Sequence, residues 1–252
     1  MIPARMDLAL ACCAAFLAGL VDAVAGGGGL IQLPALLALL PGVPIVTVLG
    51  TNKGASIWGT TIALLRYSRT VPLPWRTLAG AAAAAFVASG LGALLARQVD
   101  TAVFKPLILV ALAAVAIFTF FRPDFGRVAG GGERPAIGVL LGALCGLYDG
   151  FLGPGTGTFL IFVFVGALNL DFLAASASAK AVNLATNLAA ILVFGWGGNI
   201  LWEWSVPMGL ANLCGGYLGA RLALTHGSDL VRRVFQGVIT ALIAKLAWDW
   251  LA

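Results

Sequence analysis

The sequence has very little charge. Only a tenth of its 252 residues are Asp, Glu, Lys or Arg, whereas soluble domains approach a quarter. That excludes an ordinary cytosolic enzyme, a disordered protein and a collagen-like rod. There is a single histidine, His226, in an arginine-rich loop, and the cysteines Cys12, Cys13, Cys145 and Cys214 show no CxxC spacing. A zinc site is excluded on that ground, and the cysteines read as small apolar residues on helices. No Gly-Lys-Ser/Thr follows a glycine-rich run, no Ser-His pair stands out, and no two glutamates are placed for acid and base work. The chain is therefore read as a non-enzyme without cofactor, metal or nucleotide.

What is abundant is apolar surface: 61% of residues are hydrophobic and the mean hydropathy is +1.01. An apolar slab about 30 Å thick takes about 20 helical residues to cross. The chain thus holds at most about ten crossings, with no room for a soluble domain. The formal charge of +5 comes from arginines scattered between apolar runs: Arg66, Arg69 and Arg76; Arg122, Arg127 and Arg134; Arg221, Arg232 and Arg233. Such clusters mark cytoplasmic loops rather than a nucleic-acid-binding face. The N-terminus mimics a signal peptide, with Arg5 before an apolar run and Ala23-Val24-Ala25 as a cleavage-like site. The internal repeat argues against its removal.

Shifted by 127 residues, the sequence registers on itself. Gly19-Leu20-Val21-Asp22 falls on Gly146-Leu147-Tyr148-Asp149, Gly26 and Gly28 fall on Gly153 and Gly155, and Lys53 falls on Lys180 in a chain with four lysines. Leu91 to Ala96 falls on Leu218 to Ala223 with five identities in six. Each half reads as about five helical segments: Leu8–Val24, Leu30–Leu40, Thr51–Leu65, Leu78–Ala96 and Phe104–Phe121, then Ala136–Gly150, Phe159–Leu168, Phe172–Phe194, Val206–Leu224 and Leu230–Leu251. The expected fold is an all-α polytopic membrane protein of about eight to ten segments. Its first membrane repeat is 1–124, a polar linker covers 125–134, and the second repeat is 135–252.

The loop carrying Arg66, Arg69 and Arg76 corresponds to 194–204, whose one charge is Glu203. Corresponding loops of opposite character belong on opposite faces, which an odd number of crossings per half produces. The repeats are then inverted, as in many secondary transporters, with both termini outside. Trp196, Trp202 and Trp204 are expected to form an outer aromatic belt, with Trp248 and Trp250 near the C-terminus.

Glycine runs at 26–29 and 153–157 interrupt apolar stretches at membrane depth, where broken backbone survives only if buried in protein or lining a cavity. The helix starting after each break, at Leu30 and near Thr158, offers N–H groups and a partial positive charge to an anion. Close packing by small residues is the competing reading. Lys53 and Lys180 lie on helices of small residues, with Asn52 and Ser56, or Asn183, Thr186 and Asn187, on the same faces. Such stripes suit an oxyanion. The alternative is that each lysine pairs with Asp22 or Asp149 to brace the fold; both roles can coexist. Substrate-binding candidates are Gly27, Gly28, Gly29, Gln32, Asn52, Lys53, Gly155, Thr156, Gly157, Thr158, Lys180, Asn183 and Asn187. Asp22 and Asp149 are candidates for coupling or structural charge. Glycine faces at Gly90 and Gly92 and at Gly215, Gly216 and Gly219 suit packing within one chain or in a homo-oligomer.

The ordered segments GLVDAVAGGGGLIQLPALL, TNK, GLYDGFLGPGTGTF, AKAVNLATNLA and GGYLGARL resemble the TauE/SafE family of sulfite exporters and related anion permeases, in the branch with GGGGLI and GPGTG signatures. The resemblance runs from about Gly19 to the C-terminus. It implies an inner-membrane transporter of sulfur-containing or organic anions such as sulfite or sulfonates, with about eight spans. It also implies roles for the glycine breaks and for Asn52, Lys53, Lys180 and Asn183. The expected function is export of a small anion by alternating access, with the lipid bilayer as the surrounding partner and no nucleic acid. A proton-coupled cation or metal carrier using Asp22 and Asp149, or a non-transporting scaffold, are the rival readings.

Overall fold

The computed structural model describes residues 5–98 and 133–251. The expected segment at 104–121, Arg122, Arg127 and most of the linker at 125–134 lie outside the described residues. Among those described, the structure is all helical: α1 Arg5–Ala25, α2 Gly29–Leu39, α3 Ile45–Tyr67, α4 Trp75–Ala96, α5 Pro135–Phe151, α6 Thr156–Leu168, α7 Phe172–Trp196 and α8 Trp202–Leu251. Gly227, at φ 68° and ψ −162°, breaks α8 and so separates the two segments expected there.

Helix α3 starts six residues before the expected Thr51, because Pro44 precedes Ile45 and its fixed φ suits a helix start. The carboxylate of Asp171 caps α7 by accepting from the Ala174 amide at 2.9 Å. Ser228, just past the break in α8, donates to the same carboxylate at 2.7 Å and ties the two elements together.

Met6–Ala25, Trp75–Ala96 and Phe172–Trp196 are long and apolar enough to cross a membrane. Helices α2 and α6 have 11 and 13 residues, so they reach only about 16 and 20 Å. They are apolar helices too short to cross the apolar slab straight, each preceded by a glycine break.

The most extensive packing is between α1 and α8 and between α4 and α5. These pairs correspond under the 127-residue shift, and their contacts match residue for residue. A Cβ at Gly92 would strike the Leu147 carbonyl, and one at Gly219 would strike the Leu20 carbonyl. Gly146 meets the Ala85 backbone just as Gly19 meets that of Asn212. Gly215 and Gly216 face Phe16 and Gly59, also within the chain, while Gly90 meets nothing among the described residues.

Two hydrophobic cores result. The first holds Ala23, Val24, Tyr67, Phe164, Leu168, Phe172, Val231 and Phe235. The second holds Ala11, Ala15, Leu36, Ile45, Ala96, Leu152, Phe194 and Trp204. Helix α1 runs from the second core to the first, whereas α5 starts beside the first and ends against the second. Arg66 and Arg134 both lie at the first core's end. There Arg66 stacks over the Tyr217 ring at 4.1 Å, Glu133 accepts from the Thr77 amide at 2.7 Å, and Arg134 donates to the Ala167 carbonyl at 3.0 Å.

The expected aromatic belt needs correction. Trp196 and Trp202 are exposed, but Trp204 is only 1% exposed. Two residues along a helix from Trp202, it points the other way and fills the second core. The side chains of Trp248 and Trp250 lie outside the described residues.

Candidate functional site

The glycine breaks meet at the centre of the molecule. Gly26 and Gly27 take φ values of 72° and 84°, and Gly153 and Gly155 take 87° and 81°. All four lie in the left-handed region open to glycine. The second loop places its left-handed turn at Gly155 instead of at the counterpart of Gly27, because that counterpart is Pro154, whose ring fixes φ negative. The helices begin at Gly29 and Thr156, one and two residues before the expected starts. A Cβ on Gly26 would collide with the backbone of Gly157, and one on Gly29 would lie 3.3 Å from the Pro154 Cα. The two N-termini therefore abut one another.

A cavity of about 40 Å³ opens beside this contact. By this measure one water needs about 10–15 Å³, so the space suits a few waters or a compact anion. Of the expected site residues, Gly27, Gly28, Gly29, Asn52, Lys53, Gly155, Thr156, Gly157, Asn183 and Asn187 line it, as do Asp22 and Asp149. Three expected residues stand behind the wall. Gln32, fully buried, donates to the Asn52 carbonyl at 3.3 Å and accepts from Asn212 at 3.0 Å. Thr158 packs against Gly27. Lys180, fully buried, is turned toward α1.

Sequence reasoning missed Thr60, Gly153 and Asn212 as lining residues and left Ser56 out of the candidate set. Thr60 continues the Asn52, Ser56 spacing by one more turn of α3, so the helical period already pointed to it. Asn212 is a polar residue where the first repeat has Ala85, and that departure was its signal. Its amide donates to the Ala15 carbonyl at 2.9 Å, linking α8 to α1.

The charged residues pair across the repeats. Lys53 lies 2.6 Å from Asp149 Oδ1, and Lys180 lies 2.8 Å from Asp22 Oδ2. The bracing role considered for each lysine is thus present, with each aspartate serving the other half's lysine. Two ammonium groups and two carboxylates leave the centre formally neutral. Low-dielectric burial makes such pairs costly to break.

The pairs are not equivalent in their other contacts. Asp22 Oδ1 also accepts from the Gly28 amide at 3.4 Å, so this carboxylate holds the first break as well as its lysine. The neighbouring carbonyls of α1 are held too: Tyr67 donates to Ala23 at 2.7 Å, and Ser176 donates to Val24 at 2.8 Å. Among the described residues, Asp149 Oδ2 has no hydrogen-bond partner, although Asp149 is only 3% exposed. The amide oxygens of Asn52 and Asn183 likewise have no partner among the described residues. Chemically, the site offers amide dipoles, helix N-termini and the Lys53 ammonium group to a small charged ligand. No cluster of three or more metal-ligating side chains occurs among the described residues.

Comparison with known proteins agrees with this architecture. The chain is 34% identical to a "Probable membrane transporter protein" of Haemophilus influenzae over 96% of its own length and 95% of that protein's. It is 35% identical to "Probable membrane transporter protein ORF9" of a Sinorhizobium species, covering 94% and 90% of the two chains. It is 31% identical to "Probable membrane transporter protein YfcA" of Escherichia coli, covering 93% and 87%. No solved structure is a significant match. The profile described as "Sulfite exporter TauE/SafE" matches residues 11–246. With its helices, paired breaks and near full-length relatives in agreement, the chain is a membrane transporter of the sulfite exporter TauE/SafE family.

Proposed function

We propose that the protein moves a small sulfur-containing or organic anion, sulfite or a sulfonate, across the bacterial inner membrane by alternating access between two inverted repeats. The observation that carries this reading is the meeting of two broken-helix N-termini at one polar cavity, with Lys53 at its wall. Helix N-termini and ammonium groups both favour negative charge. The opposite courses of α1 and α5 between the two cores support inversion of the repeats. The placement of Arg66 and Arg134 at one end supports a cytoplasmic face there and termini outside.

Export follows from the membrane potential. An inside-negative potential of 100 mV drives each negative charge outward with about 2.3 kcal/mol. The test is flux in proteoliposomes of the purified protein, using sulfite, methanesulfonate and a divalent cation. Sulfite or sulfonate flux that disappears in the Lys53→Ala and Lys180→Ala variants, with both still folded, is the expected result. Full flux in the double variant removes the charge role, and flux of the cation alone replaces the anion with a cation as substrate.

A further inference from the structure

The inequality of the two ion pairs assigns them different tasks. Asp22 is engaged on both carboxylate oxygens, by the Gly28 amide and by Lys180. Among the described residues, Asp149 is engaged on one oxygen only, by Lys53, and its other oxygen is buried without a partner. Both members of the second pair line the cavity, whereas Lys180 does not. The Lys53 Nζ lies against the second break, 3.5 Å from where a Cβ on Gly153 would stand. The lysine tip therefore sits in contact with the loop that leads into α6.

We propose that Asp149 is an internal stand-in for the transported anion. In the empty site its carboxylate occupies Lys53; an arriving oxyanion takes over the ammonium; and the return of Asp149 to Lys53 expels the anion. This assignment rests on the anion-transport reading above. It follows from charge. With both pairs intact the centre is neutral, so an incoming anion competes with Asp149 for the one cation whose carboxylate has no other bond to hold it in place. At a separation of a few ångströms, two like charges repel strongly in a protein interior. Binding is therefore weak by construction, which suits a carrier that must release its cargo. The Oδ1 atoms of Asn52 and Asn183 have no partner among the described residues; turning each amide over presents its NH2 group, a donor, to an oxyanion. Asp22 has no such freedom, because moving it would release the first break.

The test uses the full-length protein in detergent and in proteoliposomes, with sulfite and methanesulfonate as probes. Asp149→Asn removes the competitor and leaves the cavity one positive charge in excess. It is expected to bind an anion about tenfold more tightly or better, with KM and kcat for flux falling together. Asp22→Asn is expected to tighten binding less and to lower thermal stability. The double variant with Lys53→Met and Asp149→Asn is expected to fold and to lose the gain in affinity. A folded Asp149→Asn protein that binds no tighter than wild type overturns the proposal, as does an equal gain from Asp22→Asn. Dependence of Asp149→Asn on sulfite for folding is the expected behaviour in extreme form; failure to fold with or without sulfite overturns the proposal. If wild type and variant bind neither probe, the anion-transport reading itself falls, an outcome distinct from wild-type binding without a gain.

Discussion

Lys180 of α7 is bonded twice to Asp22 of α1: its ammonium meets the side-chain carboxylate at 2.8 Å and also donates to the main-chain carbonyl of the same residue. One side chain from the second repeat thereby neutralises the half-buried Asp22 carboxylate of the first and caps the helix just before its glycine break.

Replacing Lys180 by Met leaves the Asp22 carboxylate without its cation. Breaking a buried pair costs about 3–5 kcal/mol, and the 21% exposure of the Asp22 side chain puts this case at the lower end. Adding Asp22→Asn restores most of the loss. Unfolding of the purified protein in a denaturant series checks both values, and equal stability of the single and double variants contradicts the pairing.

Gly26→Ala forces a side chain into the left-handed region and onto the Gly157 backbone. The conformational part alone is about 1–2 kcal/mol, and the collision adds to it. The expected outcome is lowered stability with loss of flux. Gly90→Ala is the matched control: it sits inside α4 with nothing near its Cβ among the described residues, and it is expected to gain up to about 1 kcal/mol from helix propensity. Thermal melting of the two variants side by side separates the cases.

Tyr67 and Ser176 both reach the Ala23 carbonyl, at 2.7 and 3.2 Å. Tyr67→Phe therefore leaves that carbonyl one donor, and its cost is about 0.5–1.5 kcal/mol. Combined with Ser176→Ala, it strips the Ala23 and Val24 carbonyls of these side-chain donors. The double variant is expected to lose more than the sum of the singles, which a double-mutant cycle measures.

Glu133 lies below the ordinary glutamate value of 4.5, held there first by the Thr77 hydroxyl, then by the amides of Thr77 and Arg76 and the charge of Arg76. A carboxylate depressed in the folded state stabilises it above its unfolded value and loses that effect as pH falls through the folded value. Glu133→Gln is therefore expected to be less stable than wild type at neutral pH, with the difference shrinking below about pH 4.5. Melting curves across that range test it; a constant difference rules the linkage out.

Much of the architecture was legible because duplication places rare residues twice. Asp22 with Asp149 and Lys53 with Lys180 marked the centre before any coordinates. The glycine breaks announced themselves because only cavities and buried contacts tolerate such backbone at membrane depth. Which lysine meets which aspartate was not legible, since it depends on how the halves interdigitate. The inward turn of Trp204 has the same origin: its helix and its neighbours come from different halves. Gln32 looked like a ligand because it follows a break, yet the Asn212 amide, from a helix 180 residues away in sequence, draws it behind the wall.

The exchange of partners between halves also constrains how the protein is made. Asp22 emerges from the ribosome 158 residues before Lys180, an interval of about 8–30 s at ordinary synthesis rates of about 5–20 residues per second. During that time the first half stands in the bilayer with an acid and a base that have not met their final partners. Insertion of the early helices thus precedes their electrostatic completion, and a nascent chain stalled near its midpoint is an obvious substrate for membrane quality control.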